Sequence, residues 1–441
     1  METSYTGSGS TSGRGLDHPA LFWIALTAAV VSLAVGVSLT LRSSTALDFS
    51  VYYMAADLIH HGRSPYTIDR PAWDALAQSL HVHKYAWPYR YSPHTAVLVM
   101  PLLPLGIHWA MVVWTLVNAS GFLAGALIAG AALGGRREQM LALWLLACFG
   151  PVFNSYGDGQ VEGIAFLGLA LAFWGLARRR PIATGLGVAV GAVLKLVPLV
   201  LLLYLLWRRR WREAVWAAVA TVALTLACLP VTGTGLFTQW AGRAADLTAP
   251  GRINVNPPNQ TVTGVVGRLL LDRTSFGDGA REQLVRGLAL AFAAVLLAAT
   301  AFATWPRRRD PAGPALPARP PDTGVIREDL VGFGMVLAAS SVVGPFTYYH
   351  QFSWLLIPTA LLVVAAVHRG SVASVLGWFA LVVLLDVDYA LWVAARDTLL
   401  ATGIWRLLSV PFVYAAVVWW NSWRQLRPDK APVGEATADS T

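Results

Sequence analysis

Long apolar runs recur along the chain from Leu21 to Trp420. Each is long enough, or nearly so, to cross a hydrocarbon core roughly 30 Å thick. Backbone at that depth is helical unless it lines a cavity, so the pattern predicts an all-α polytopic membrane protein. Short arginine clusters separate the runs: Arg136-Arg137, Arg178-Arg179-Arg180, Arg208-Arg209-Arg210 with Arg212, and Arg307-Arg308-Arg309. Such clusters mark cytoplasmic loops.

Keeping every cluster on the cytoplasmic side sets the expected topology. The first span covers 20–41. A first outer loop, 42–106, follows; its last part, Ser92 to Gly106, carries Pro93, Pro101, Pro104 and Gly106 and reads as a re-entrant or interfacial piece. Spans are expected at 107–133, 140–153 and 161–177, with a polar hinge from Asn154 to Gln160 between the last two. The segment 181–207 has arginines at both ends, so a single crossing would expose one cluster outside. A hairpin turning near Lys195 and Pro198 avoids this. Each arm reaches roughly 20 Å at 1.5 Å per residue, which carries Lys195 toward the far side. Spans at 213–230, 285–305, 329–344, 352–367, 371–387 and 399–420 complete the chain, with a second large outer loop at 231–284 and a flexible cytoplasmic linker at 306–327. The total is about twelve spans counting the hairpin arms. Residues 20–423 form the membrane domain, between a disordered cytoplasmic N-terminus (1–19) and a cytoplasmic tail (424–441).

Composition agrees. Of 441 residues, 56% are hydrophobic and 13% charged, against about 25% charged in a soluble domain. The net charge of +9 would suit nucleic acid, but the arginines lie between apolar runs and not on one soluble face, so nucleic acid is excluded as a partner. The stretch 20–41 is too long for the apolar region of a signal peptide. Cys148 and Cys228 lie inside apolar runs and read as small buried residues.

The topology gathers Asp48, Asp158, Gln160, Asn259, Gln260, His350, Asp386 and Asp388 on the outer face, although only arginine was used to build it. Asp48, just past the first span among aromatics, suits a general base; a solvated loop acid or a helix N-cap is the plain alternative. Lys195 is the lone charge in an apolar run and suits a phosphate; snorkelling is its alternative. His350 can hydrogen-bond a phosphate or move a proton, or simply sit among interfacial aromatics. Gln160, Asn259 and Gln260 offer neutral amides for sugar hydroxyls, or turn and cap chemistry. Asp386 and Asp388 are two residues apart and face different ways on a helix, which gives a metal pair little support. No phosphate-binding glycine loop, zinc motif or nucleophile elbow occurs.

Four stretches carry a family resemblance: Asp48-Phe49-Ser50-Val51-Tyr52-Tyr53 with Gly62-Arg63-Ser64-Pro65-Tyr66; Tyr89-Arg90-Tyr91-Ser92-Pro93; Gly159-Gln160 through Ala192-Val193-Leu194-Lys195-Leu196-Val197-Pro198; and Asn259-Gln260-Thr261. With the Tyr349-His350 loop, they resemble glycosyltransferase family 87, polytopic enzymes of the GT-C superfamily. The chain departs from the family pattern at Ser92-Pro93, where two prolines are expected, and at Gln351, a second histidine position. The resemblance implies a GT-C-like helix bundle in a bacterial cell membrane. It implies an α-mannosyltransferase using a polyprenyl-phosphate-mannose donor and a glycolipid or polysaccharide acceptor, with no cofactor and no metal. Asp48 would be the base, Lys195 and His350 the phosphate ligands, and Tyr52, Gln160, Asn259, Gln260 and Tyr349 substrate contacts. Similar enzymes transfer arabinofuranose. A transporter or flippase of lipid-linked sugars is a competing class, against which the chain shows no pair of matching broken helices.

Overall fold

The computed structural model describes residues 19–43, 46–83, 85–86, 88–246, 253–271, 279–306, 328–344, 346–402 and 409–426. The expected disordered N-terminus (1–18), most of the linker (307–327), the end of the tail (427–441) and two parts of the second outer loop (247–252, 272–278) lie outside them. Regular structure in the described residues is helical throughout. The α-helices are α1 (Pro19–Ser43), α2 (Leu47–His60), α3 (Arg70–Ser79), α4 (Pro93–Val99), α5 (Gly106–Leu133), α6 (Arg136–Ala147), α7 (Gly150–Asp158), α8 (Glu162–Ala177) and α9 (Pro181–Leu194). They continue as α10 (Val200–Trp207), α11 (Trp211–Asp246), α12 (Val262–Leu270), α13 (Gly279–Ala303), α14 (Glu328–Val343), α15 (Leu356–His368), α16 (Val372–Ala394), α17 (Arg396–Thr402) and α18 (Val410–Leu426).

Among the described residues, five helical stretches are long and apolar enough to cross a membrane: 19–42, 93–133, 211–245, 279–303 and 349–368. Counting α6 with α7 as one bent span makes six. Length alone therefore reaches half of the expected twelve. The apolar helices at 162–177, 181–194 and 197–207 are shorter; the first is mostly buried, while the other two leave Ile182, Leu186 and Leu203 exposed.

The hairpin at 181–207 is present. α9 ends at Leu194, Lys195 is extended, a 3-10 turn follows at Val197–Leu199, and α10 leads back. Both its ends lie at one end of the bundle. Arg178 donates to the Ala131 carbonyl at the end of α5, and Arg208 donates to Thr304 and Asp329 at the end of α13 and the start of α14. Phe173 near the end of α8 packs on Phe333 near the start of α14, which joins these two groups. Lys195 lies at the other end, beside the first turn of α8.

Helices α5, α8, α9 and α11 pack side by side through small residues, as close approach in a membrane requires. A Cβ on Gly121 of α5 would lie 2.5 Å from the Gly163 carbonyl oxygen of α8, and one on Gly185 of α9 would lie 2.5 Å from the Ala217 nitrogen of α11.

Two expected boundaries are corrected. The hinge between spans 140–153 and 161–177 was expected at 154–160; Asn154 to Asp158 are helical, and the 56° bend falls at 148–149, between α6 and α7. Pro151 explains this, because a proline lacks the N–H and crowds the carbonyl four residues back, at Ala147. The outer loop expected from 231 begins as helix: α11 runs to Asp246 across a bend at Gly233, where φ is 61° and ψ 175°. Its far end is tied down by Arg243, which donates to the Tyr66 carbonyl, and by Ser64 on Gln239. The piece before α5 is α4 plus a 3-10 turn at Met100–Leu105, divided from α5 by Gly106 with φ 70°.

Candidate active site

Asp48 is not an N-cap. Ala46 occupies that place, and Asp48 sits in the first turn of α2 with its carboxylate turned inward. Tyr91 donates to Asp48 Oδ1 at 2.6 Å, and the Gln160 amide nitrogen donates to Oδ2. Tyr52, one turn along the same face of α2, donates to Gln160 Oε1 at 2.9 Å. Lys195 Nζ donates to that same oxygen at 2.9 Å. Two donors on the carbonyl and an acid on the nitrogen fix how the Gln160 amide points. Gln160 is therefore the hub between the α2 acid and the hairpin lysine.

Local structure explains how Gln160 comes to be there. Gly159 closes α7 in the left-handed region, with φ 68°, and its N–H bonds to Tyr156 while that of Gln160 bonds to Ser155, the paired closure of a Schellman motif. Only glycine fits: a Cβ at 159 would lie 2.6 Å from that of Phe49. On α5, Trp114 donates to the Gly159 carbonyl at 2.9 Å, and Asn118, one turn on, accepts from the Gly163 N–H at 3.0 Å. These bonds clamp the segment that carries Gln160 and Glu162.

Lys195 pairs with Glu162 Oε1 at 2.9 Å and lies over the Tyr91 ring, 5.2 Å from its centre. His350 approaches the same Glu162 oxygen with Nε2 at 3.5 Å and Asp158 with Nδ1 at 3.6 Å. Ser92 holds the hairpin apex to the Tyr91 segment by donating to the Val193 carbonyl at 2.6 Å. Tyr66 supports Tyr91 from behind, donating to its carbonyl at 2.7 Å.

Burial pushes the Asp48 pKa above the ordinary carboxylate value, and the negative charge of Asp158 adds to this. The Tyr91 hydrogen bond and the charges of His350 and Lys195 pull the other way. Burial, then the Asp48 charge, pushes the Tyr91 phenol far above its usual range, so Tyr91 remains a donor. A half-buried acid with a raised pKa, held by two hydrogen bonds in the field of an ammonium, has the properties that a general base needs.

Of the residues expected at the site, Asp48, Tyr52, Gln160, Lys195 and His350 come together. Asn259, Gln260 and Tyr349 do not join them. Asn259 is fully buried and accepts from the Thr347 N–H at 3.1 Å, while the Gln260 amide donates to Pro257 at 2.6 Å and its backbone N–H to Thr347 at 2.9 Å. Buried Arg268 braces this loop from below, donating to the carbonyls of Asn259 and Asn256. The loop thus anchors the start of the His350 segment. Tyr349 points to α16, donating to the Leu385 carbonyl and to Asp386. Asp386 accepts from Gly150 N–H, whereas Asp388 lies near Arg268, so the two acids diverge as their spacing requires. Gln351 accepts from the Tyr348 N–H and closes its own turn. Among the described residues no three His, Cys, Asp or Glu side chains are placed to hold a metal ion.

Sequence reasoning gave no role to Glu162 or Tyr91. Glu162 carried a readable signal, an acid opening an otherwise apolar run, the same signal that singled out Lys195.

The description of glycosyltransferase family 87 matches residues 89–318, just over half of the chain. The chain belongs to glycosyltransferase family 87. This family 87 glycosyltransferase has Tyr91, Gln160, Glu162 and Lys195 within the matched stretch and Asp48 and His350 outside it. It is 26% identical over 351 residues to a polyprenol-phosphate-mannose-dependent alpha-(1-2)-phosphatidylinositol mannoside mannosyltransferase of Mycobacterium tuberculosis, covering 76% of this chain and 74% of that protein. A protein of the same description from Mycolicibacterium smegmatis is 24% identical over 278 residues, covering 61% of this chain and 56% of that protein. A phosphatidylinositol pentamannoside mannosyltransferase of Mycobacterium tuberculosis is 26% identical over 206 residues, covering 43% of this chain and 44% of that protein.

Proposed function

We propose that this glycosyltransferase moves mannose from a polyprenyl-phosphate carrier to a glycolipid of the phosphatidylinositol mannoside class, on the outer face of the membrane. The observation that carries the reading is the convergence of Asp48, Gln160, Lys195 and His350 from four separate segments. The names of the relatives supply the donor and acceptor classes. The outer placement rests on charge. Among the described residues, the arginine clusters at 136–137, 178–180 and 208–212 share one end of the bundle, and Glu162 lies sixteen residues before Arg178 along α8, about 24 Å away.

In this reading the carrier lipid lies against the bundle, and its phosphate sits by Lys195 and His350. The acceptor hydroxyl oxygen attacks the anomeric carbon while Asp48 takes its proton. The bond from the anomeric carbon to the phosphate oxygen breaks, and its electron pair leaves with the phosphate, where the Lys195 ammonium and a hydrogen bond from the His350 imidazole offset the growing charge. One displacement on a β-linked donor gives an α-mannoside. Incubating purified enzyme with labelled polyprenyl-phosphate-mannose and phosphatidylinositol mannosides tests this. An α-linked mannosyl product is expected. No transfer from the mannose donor, or transfer only from the arabinose donor, rejects the proposal.

The raised Asp48 pKa sets the acid side of the pH profile. The base works only when ionised, so kcat/KM falls as pH drops through a pKa above that of a solvated aspartate. Tyr91→Phe removes a bond that favours the ionised form, so that pKa rises further. The acid limb is expected to move to higher pH, on the order of one pH unit for a hydrogen bond to a charged group. A limb that stays in place or moves down shows that Tyr91 does not tune the base.

A further inference from the structure

We propose that Glu162 is a positioning residue that holds the Lys195 ammonium off the Asp48 carboxylate, leaving that carboxylate free to act as base. The inference rests on the role given to Asp48 above.

Glu162 is fully buried at the start of α8 and is the only acid in that helix. An acid so placed is stable only with a partner. Its Oε1 has Lys195 at 2.9 Å and His350 at 3.5 Å, contacts of charge and not of hydrogen-bond geometry, which neither carboxylate oxygen finds among the described residues. Lys195 and Asp48 meet opposite ends of one amide, that of Gln160. Asp48 already feels the Lys195 charge across that amide, so without Glu162 the ammonium is drawn toward it. A direct pair there would stabilise the carboxylate and weaken it as a base. Glu162 itself lies behind Gln160 and Lys195 with no exposed surface, so it takes no proton from an acceptor.

The groups facing this centre are few. Lys195 comes from the hairpin apex, His350 from the turn at Tyr349–Leu355, Asp158 from α7 beside His350, and Asp48 with the Tyr52 hydroxyl from α2 through Gln160. The Tyr91 phenol lies under Lys195, and α5 contributes the neutral Asn118 amide.

The test is the steady-state kinetics of Glu162→Gln in the full-length enzyme, with donor concentration and pH both varied. The expected result is a kcat lowered roughly tenfold or more, a part of the about 10²- to 10⁴-fold that a general base contributes, because the base is weakened and not removed. The donor KM does not rise, because Lys195 stays available to phosphate, and the acid limb of kcat/KM moves to lower pH, opposite to Tyr91→Phe. Lys195→Met added to Glu162→Gln is expected to be no slower than Lys195→Met alone, since the misplaced ammonium is then gone. Wild-type kcat in Glu162→Gln, or an acid limb that stays in place, overturns the proposal. Where Glu162→Gln does not fold, Glu162→Asp decides: wild-type pH profile and turnover support the proposal, and lost turnover with an unmoved limb overturns it. Asp48→Asn measured alongside separates the two readings, because full turnover there removes the base itself, whatever Glu162 does.

Discussion

Asp48→Asn is expected to lower turnover by about 10²- to 10⁴-fold, the range that a positioned general base contributes. The change is nearly isosteric, and the surroundings can accept it. The Asn carbonyl oxygen takes the Gln160 N–H in place of the carboxylate, and the Asn nitrogen donates to the Tyr91 hydroxyl, which then accepts where it had donated. Gln160 need not turn, since Tyr52 and Lys195 hold its carbonyl. Fold and donor binding therefore survive, and the lost function is the proton acceptor alone. A single-turnover assay with the labelled lipid donor reads the chemical step, and thermal unfolding of the purified variant checks the fold. Near-normal turnover in a folded Asp48→Asn protein would show that another group takes the proton.

The parts of this site that sequence makes legible are those where charge interrupts apolar chain. Lys195 stands out because a lone ammonium in a membrane segment needs a reason, and the arginines at both ends of 181–207 demand a hairpin that the structure contains. Asp48 stands out by its place after the first span. Tyr91 and Glu162 escape for different reasons. A tyrosine among interfacial aromatics carries no mark of the acid it touches, and that partner lies 43 positions away. Glu162 opens the apolar run 161–177, where its charge is legible, but the partners that make its burial tolerable, Lys195 and His350, lie 33 and 188 positions away. The bonds that tie Asn259 and Gln260 to the Thr347 backbone are not legible, because that partner lies 88 positions from Asn259 and a loop amide carries no mark of it.

Gly163→Ala should damage both the fold and the reaction, because the α5–α8 contact has no side chain that can move aside. An added Cβ at 163 would lie 2.7 Å from the Asn118 Cα, and the reciprocal Cβ at Gly121 would lie 2.5 Å from the Gly163 carbonyl oxygen. The two backbones must separate, and overpacking of this kind costs about 1–3 kcal/mol. The separation also strains the Asn118 bond to the Gly163 N–H and the Trp114 bond to Gly159, which hold Gln160 and Glu162 in place. Misplacing catalytic groups by an ångström can cost about 10²-fold in rate. Gly157→Ala is the control, since a Cβ there meets nothing within 4 Å and the position is helical. The expected outcome in detergent-solubilised enzyme is a lowered melting temperature and a turnover loss on the order of 10²-fold for Gly163→Ala, with both quantities near wild type for Gly157→Ala. Wild-type turnover in Gly163→Ala would mean that the close crossing of α5 and α8 does not set the position of Gln160, and that the hub is held by the hairpin and α2 alone.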